Sequence, residues 1–143
     1  MSTPARPLTG RRALIVEDEG LFALELTETL AGLGCAVVDV AAGLSRGLAA
    51  AEFHELDLAV VDVHLGRDKA FRIAHMLMAR QVPFLFVTGA GRDAIPVAFD
   101  EIPALIKPFT PTTLREALLS LLGSADADGR DSTPPARPER PAG

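Results

Sequence analysis

Four short apolar runs in this chain each stop at a polar residue of a kind that chemistry uses. Residues 13–16 lead into Glu17-Asp18, residues 58–61 into Asp62, residues 84–87 into Thr88, and residues 104–106 into Lys107-Pro108. Runs this short and this continuously apolar read as parallel strands of one sheet, with residues 58–61, apolar on both faces, at its centre. Between them the period changes. Phe22, Leu26, Leu30 and Leu33 recur at spacings of four, four and three, one face of a helix that Gly34 ends. Val37, Val38 and Val40 predict a further strand, and residues 44–53 a second helix with Ser45 near its start. Residues 70–80 carry Ile73, Leu77 and Arg80 at helical spacing, and Pro83 closes the linker before the strand at residue 84.

Beyond Thr88 the pattern weakens. Gly89-Ala90-Gly91 reads as a turn, and Pro96 leaves room for only a short or irregular fourth helix. Thr110 caps a last helix with Pro111 at its first position, and Leu114, Ala117, Leu118 and Leu121 form its buried stripe. Five strands alternating with about five helices imply an α/β fold, a doubly wound parallel sheet in a three-layer α/β/α sandwich. Its strands would share one carboxyl edge, where open α/β sheets bind ligands. The domain is expected over residues 13–122. Residues 1–12 read as an N-terminal tail, and residues 123–143, rich in Pro, Ala, Asp and Arg, as a disordered C-terminal tail.

Composition narrows the partners. The 143 residues carry a formal net charge of −5; the first twelve contribute +3 and the stretch from Gly123 contributes −1, which leaves residues 13–122 at −7. An acidic folded part argues against a nucleic-acid surface. Cys35 is the single cysteine, so no internal disulfide is available, and it reads as a small buried apolar residue. No run approaches a membrane span or the apolar core of a signal peptide, so a cytoplasmic, non-membrane protein is expected. Arginine outnumbers lysine twelve to two. Lys107 stands against that bias, and a compact ammonium is not interchangeable with a guanidinium.

Three carboxylates, a hydroxyl and an ammonium on one edge would suit a divalent cation beside an anion. Asp18 and Asp62 are the best direct ligands for Mg²⁺, with Glu17 acting directly or through a water. The cation would relieve the mutual repulsion of the carboxylates and let an anionic phosphoryl group approach them. Thr88 could donate to one phosphoryl oxygen and Lys107 neutralise another.

This arrangement resembles the receiver domain of bacterial two-component response regulators, whose acid pair, acceptor Asp, Thr or Ser, and Lys-Pro follow strands one, three, four and five. Glu17-Asp18, Asp62, Thr88 and Lys107-Pro108-Phe109 occupy those places in order. The resemblance implies a flavodoxin-like fold, the phosphoacceptor role for Asp62, and Mg²⁺ as cofactor. It makes the backbone carbonyl of His64 a third protein ligand and the Lys107-Pro108 bond cis. It implies a histidine kinase or histidine phosphotransfer protein as donor and a stand-alone signalling protein, not an enzyme, whose output is protein contact or the draining of phosphate from a shared kinase. The run Pro83-Phe84-Leu85-Phe86-Val87-Thr88-Gly89 also resembles the single-domain receivers named for a Phe-Ala-Thr-Gly-Tyr signature, with Val87 and Ala90 replacing the Ala and the Tyr. Members of that group act in alphaproteobacterial stress signalling.

Two departures bear on mechanism. Most receivers carry Tyr or Phe three residues before the Lys, and this chain has Ala104. The fourth helix, part of the usual output face, should be reduced. The signal is then expected to be a movement of the loop at residues 89–91, passed to whatever binds the first helix, the last helix or the loop.

Each residue also has a plainer reading. Glu17-Asp18 alone would suit a helix N-terminus, Asp62 a loop-starting cap, and Thr88 before Gly89 a turn. His54, His64 and His75 lack zinc-ligand spacing; His64 would border the path of hydrolytic water and so affect phosphoryl lifetime. Arg67 and Lys69 read as solvated. Two other functions compete: a degenerate receiver serving as a non-phosphorylated interaction module, and a phosphatase of the haloacid dehalogenase type. The latter needs a second acid two residues past the nucleophile, where Asp62-Val63-His64 has none.

Overall fold

The structure is a computed structural model that describes residues 6–127. Five parallel strands form the sheet: β1 (Arg12–Val16), β2 (Ala36–Ala41), β3 (Leu58–Asp62), β6 (Phe84–Thr88) and β7 (Ala104–Ile106), in the order β2-β1-β3-β6-β7. A two-residue hairpin, β4 (His64–Leu65) with β5 (Asp68–Lys69), stands apart from it. Helices α1 (Gly20–Gly32) and α4 (Pro111–Ala127) cover one face, and α2 (Leu44–Phe53) and α3 (Phe71–Ala79) the other. This is the flavodoxin-like α/β sandwich expected from the alternation of patterns.

The apolar runs explain the layers. β3 and β6 are buried at all five positions because helices cover both their faces. Odd and even residues then divide between two cores. Leu14, Val16, Val61 and Phe86 pack with Ile73 and Leu77 of α3; Ile15, Val60, Leu85 and Val87 pack with Leu26 and Leu30 of α1 and with Leu114 and Leu118 of α4. Helix α1 ends where predicted. Gly34 has φ +99°, and a Cβ there would lie 2.7 Å from the Thr9 Cα, so the turn needs glycine twice over. Thr110 caps α4 as expected, its Oγ1 accepting from the Thr113 N–H at 3.1 Å.

The stretch after Thr88 corrects the helix count. Among the described residues there are four α-helices, and the fourth predicted helix is replaced by two 3₁₀ turns, Arg92–Ala94 and Val97–Phe99. Pro96 between them supplies no N–H and forces an extended residue before it. The face is still sealed. Ile95 and Phe99 are buried, and the Phe99 ring stacks on Phe71 at 5.7 Å and meets Phe86 edge-on at 5.6 Å.

The ends also differ from expectation. Residues 6–12 do not form a solvated tail: Leu8 is 2% exposed, its N–H donates to the Leu33 carbonyl at 2.9 Å, and β1 already begins at Arg12. A single Leu after Pro gave no periodic signal. At the other end α4 runs through residues 123–127, and Leu122 joins its buried stripe. The remainder of the predicted tail lies outside the described residues. Leu8→Ala should therefore cost about 2–4 kcal/mol of unfolding free energy by urea titration, the usual loss for emptying a buried leucine site. A change within a few tenths would mean that residues 6–12 contribute nothing to the core.

Candidate functional site

The register of the sheet assembles the site. Asp62 ends β3 opposite Val87, and Thr88 ends β6 opposite Ile106, so the strands finish along one staggered edge. Backbone bonds carry the pairing one residue further: Glu17 N–H to Ala41 O at 2.9 Å, Val63 N–H to Val87 O at 3.0 Å, and Lys107 N–H to Thr88 O at 2.7 Å. The residues that follow each strand are thereby held by the sheet itself. They lie at the reversal of strand order between β1 and β3, the topological switch point of such sheets.

One cleft of about 480 Å³ is lined by Glu17, Asp18, Glu19, Asp62, His64, Gly66, Gly89, Ala90 and Lys107. The Lys107 Nζ donates to Asp62 Oδ2 at 2.9 Å and to Glu17 Oε1 at 3.3 Å. It also sits 4.2 Å from the centroid of the Phe22 ring, which shields its outer side and adds a cation–π contact. Glu17 and Asp62 are 1% and 4% exposed, whereas Asp18 is exposed. Side-chain oxygens of Glu17, Asp18 and Asp62 approach one another within 4.8 Å.

Each carboxylate has a fixed backbone partner. Glu17 Oε2 accepts from Glu19 N–H at 3.0 Å, Asp62 Oδ1 from His64 N–H at 3.0 Å, and Asp18 Oδ2 from Gly66 N–H at 2.8 Å. The last bond depends on the β4–β5 hairpin, whose two-residue turn puts Gly66 at φ +63°. The hairpin was missed in the sequence; its signal was glycine opening a two-residue turn between Leu65 and Asp68. Thr88 is fully buried, its Oγ1 accepting from Ala90 N–H at 3.0 Å, so its own hydroxyl hydrogen remains to be donated.

Electrostatics show what the cleft lacks without a cation. Burial, then the hydrogen bond and charge of Asp62, push the Glu17 carboxyl up to about 7, against the pull of the Glu19 N–H and Lys107. Burial would lower Lys107, but the carboxylates of Asp62 and Glu17 outweigh it and raise its pKa. The site is a carboxylate cluster that one ammonium only partly neutralises. Hard oxygen donors this close, one of them driven to hold a proton near neutrality, fit an oxygen-seeking divalent ion such as Mg²⁺.

The other sequence readings can be placed. His64 half-lines the cleft, and Arg67 and Lys69 are exposed on the hairpin. His54 approaches Asp39 at 3.4 Å and His75 packs on the Phe99 ring, both away from the cleft. Glu17, Asp18 and Asp62 form the one candidate metal cluster among the described residues. Cys35 is buried, and burial raises its thiol to about 11, against the pull of Arg11, which suits a packing role. The Lys107-Pro108 bond is cis. Among the described residues no helix is long and apolar enough to cross a membrane.

Comparison with known proteins meets the same arrangement. The response regulator receiver domain matches residues 13–119. The chain belongs to that family. Receiver domains are signalling modules that take phosphate from histidine kinases and bind Mg²⁺ in their active sites. The chain is 31% identical over 121 residues to the transcriptional regulatory protein PdtaR of Mycobacterium tuberculosis, covering 82% of this chain and 59% of that one. It thus spans about three fifths of that relative's length. The solution structure of SdrG from Sphingomonas melonis is 38% identical, with a TM-score of 0.70 over 78% of this chain and 96% of that one. The receiver domain of the sensor histidine kinase PA1611 from Pseudomonas aeruginosa, solved with magnesium coordinated in its cleft, shares the fold at 23% identity, covering 80% of this chain and 99% of that one with a TM-score of 0.69.

The raised Glu17 pKa fixes a pH dependence for the metal-free receiver. The unfolded carboxyl titrates near 4.5 and the folded one near 7. Stability carried by that proton is complete below the lower value and is lost as pH rises through the upper one. In chelator, the thermal midpoint should fall between about pH 5 and about pH 8, and Glu17→Gln should remove most of that fall. Saturating Mg²⁺ should shrink it in the wild type, because a cation favours the ionised carboxylate. Parallel pH profiles for the two proteins would show that Glu17 is not the group responsible.

Proposed function

We propose that this receiver accepts a phosphoryl group on Asp62 from a phosphohistidine and passes the signal on by protein contact. The carrying observation is the joint geometry of Asp62, Lys107 and the acid cluster. An Asp62 oxygen sits 2.9 Å from the ammonium and within 4.8 Å of oxygens from Glu17 and Asp18. The chain supplies a nucleophile, a fixed positive charge and a cation site on one sheet edge.

In the reaction a carboxylate oxygen of Asp62 attacks the phosphorus, an O–P bond forms, the N–P bond breaks, and the imidazole leaves with the electron pair. Asp62 Oδ1 is held by the His64 N–H, which orients the carboxylate. Lys107 stands beside Oδ2, where it can follow the charge onto a phosphoryl oxygen. Thr88 offers its hydroxyl hydrogen to another oxygen once the loop at residues 89–91 closes. Glu17, Asp18, Asp62 and the His64 carbonyl are the groups that would hold Mg²⁺. A bound Mg²⁺ supplies charge neutralisation for the incoming phosphoryl group. Water later cleaves the acyl phosphate, with His64 beside its path.

The donor is a histidine kinase or a histidine phosphotransfer protein, and the acidic receiver is not read as a nucleic-acid binder. Output by contact and service as a phosphate sink both follow from the same chemistry. An interaction module that is never phosphorylated would leave the paired Lys107 and the acid cluster without a purpose.

Incubation with acetyl phosphate and Mg²⁺, followed by intact mass measurement, should show one added phosphoryl group on the wild type and none on Asp62→Asn. Omitting Mg²⁺ should suppress the addition by at least an order of magnitude, on the order of the charge stabilisation a metal supplies. An unmodified wild type would favour the interaction module, and equal modification of Asp62→Asn would place the acceptor elsewhere.

A further inference from the structure

The receiver lacks both parts that would ordinarily carry a change at the cleft outwards: Ala104 stands where an aromatic ring would turn, and two 3₁₀ turns replace the fourth helix. Something else must connect Thr88 to the surface beyond it. Arg92 stands between the two, tied to each by covalent and hydrogen-bonded links. Its side chain is half-buried, and its guanidinium donates to three backbone carbonyls: Ile102 at 2.6 Å, Phe99 at 2.6 Å and Asp100 at 2.8 Å.

The second 3₁₀ turn ends at Phe99, whose carbonyl already takes the Ile102 N–H at 3.0 Å, and a planar fork with several N–H groups can add a second donor there while also serving Asp100 and Ile102. The other end of Arg92 is the cleft loop. Thr88 Oγ1 holds Ala90 N–H, Gly91 carries the Ala94 N–H on its carbonyl, and Arg92 opens the turn between them. A Thr88 hydroxyl drawn towards a phosphoryl oxygen pulls Ala90 with it, and Arg92 is two residues further on.

What Arg92 grips is in turn coupled to the surface. Phe99 lies in the ring cluster with Phe71, Phe86 and His75. Ile102 and Pro103 lead directly into β7, where the Pro103 carbonyl accepts from Phe86 N–H at 2.9 Å. On the outside of the same segment stand two large apolar side chains, Val97 at 78% and Ile106 at 44% exposure.

We infer that Arg92 is the positioning residue that transmits loop closure at Thr88 to the segment at residues 97–106, taking over the part of the missing aromatic residue. It acts through the carbonyls of Phe99, Asp100 and Ile102, not on the phosphoryl group. The surface it moves carries the exposed Val97 and, on edge strand β7, the exposed Ile106. The inference rests on the proposed phosphoacceptor function.

The test uses Mg²⁺ with beryllofluoride as the phosphoryl mimic and backbone amide NMR on the full chain. In the wild type, amides at residues 62–64, 88–90 and 97–106 should all shift, and the Arg92 side-chain N–H resonances should shift with them. In Arg92→Met the first two groups should still shift while those at 97–106 fall to less than half. Arg92→Lys, which keeps the charge but not the fork, should lie between the two. Full shifts at 97–106 in Arg92→Met would overturn the inference. Should that variant fail to fold, the wild-type side-chain resonances decide: fixed Arg92 signals beside moving Thr88 and Ala90 amides overturn it as well. A wild type with no shifts at residues 62–64 or 88–90 would instead remove the phosphoacceptor reading, and this inference with it.

Discussion

The receiver depends on placing like charges together at the buried edge of its sheet. Glu17 and Asp62 are almost fully enclosed, and Asp18 stands close beside them. In a medium of low polarity such groups are costly unless each lone pair has a donor and the net charge is answered. The structure provides the donors from its backbone, one N–H for each carboxylate, and answers part of the charge with Lys107. What is left over appears as the raised affinity of Glu17 for a proton. The same imbalance that strains the cation-free cleft is a standing attraction for a divalent ion, so stability and ligand binding are two readings of one electrostatic deficit.

That deficit explains why so much of the site could be read from the chain. Residues at the ends of parallel strands need no knowledge of tertiary contacts to be brought together, because the sheet does it by register. Four apolar runs ending in Glu17-Asp18, Asp62, Thr88 and Lys107 therefore carried both the fold and the cluster. The helices between them were equally legible, since Leu26 and Leu30, or Ile73 and Leu77, repeat at the helical period wherever one face is buried.

What escaped was whatever depends on a single residue meeting a distant one. Leu8 has no periodic neighbours, and only its docking against the Leu33–Gly34 turn makes it core. Gly66 announces a turn but not that its N–H will meet Asp18, forty-eight positions away. Phe22 fits the apolar stripe of α1, yet its ring also shields Lys107. In each case local pattern is indifferent to the contact, so the contact leaves no trace in spacing.

The segment between Thr88 and Lys107 combines the two situations. Pro96 and Pro103 tell the reader that a regular helix cannot form, but not how its unmet backbone groups are answered. A helix satisfies its own carbonyls and so behaves as a rigid unit that can slide. A pair of 3₁₀ turns does so only in part, and here one side chain, Arg92, adds donors to three carbonyls of the segment. Beside the segment's own backbone bonds and its buried Ile95 and Phe99, this external clamp ties several of its carbonyls to a single residue near the cleft. A segment clamped by a group that itself follows the cleft loop is well suited to report the state of that loop, and it needs no aromatic ring at position 104 to do so.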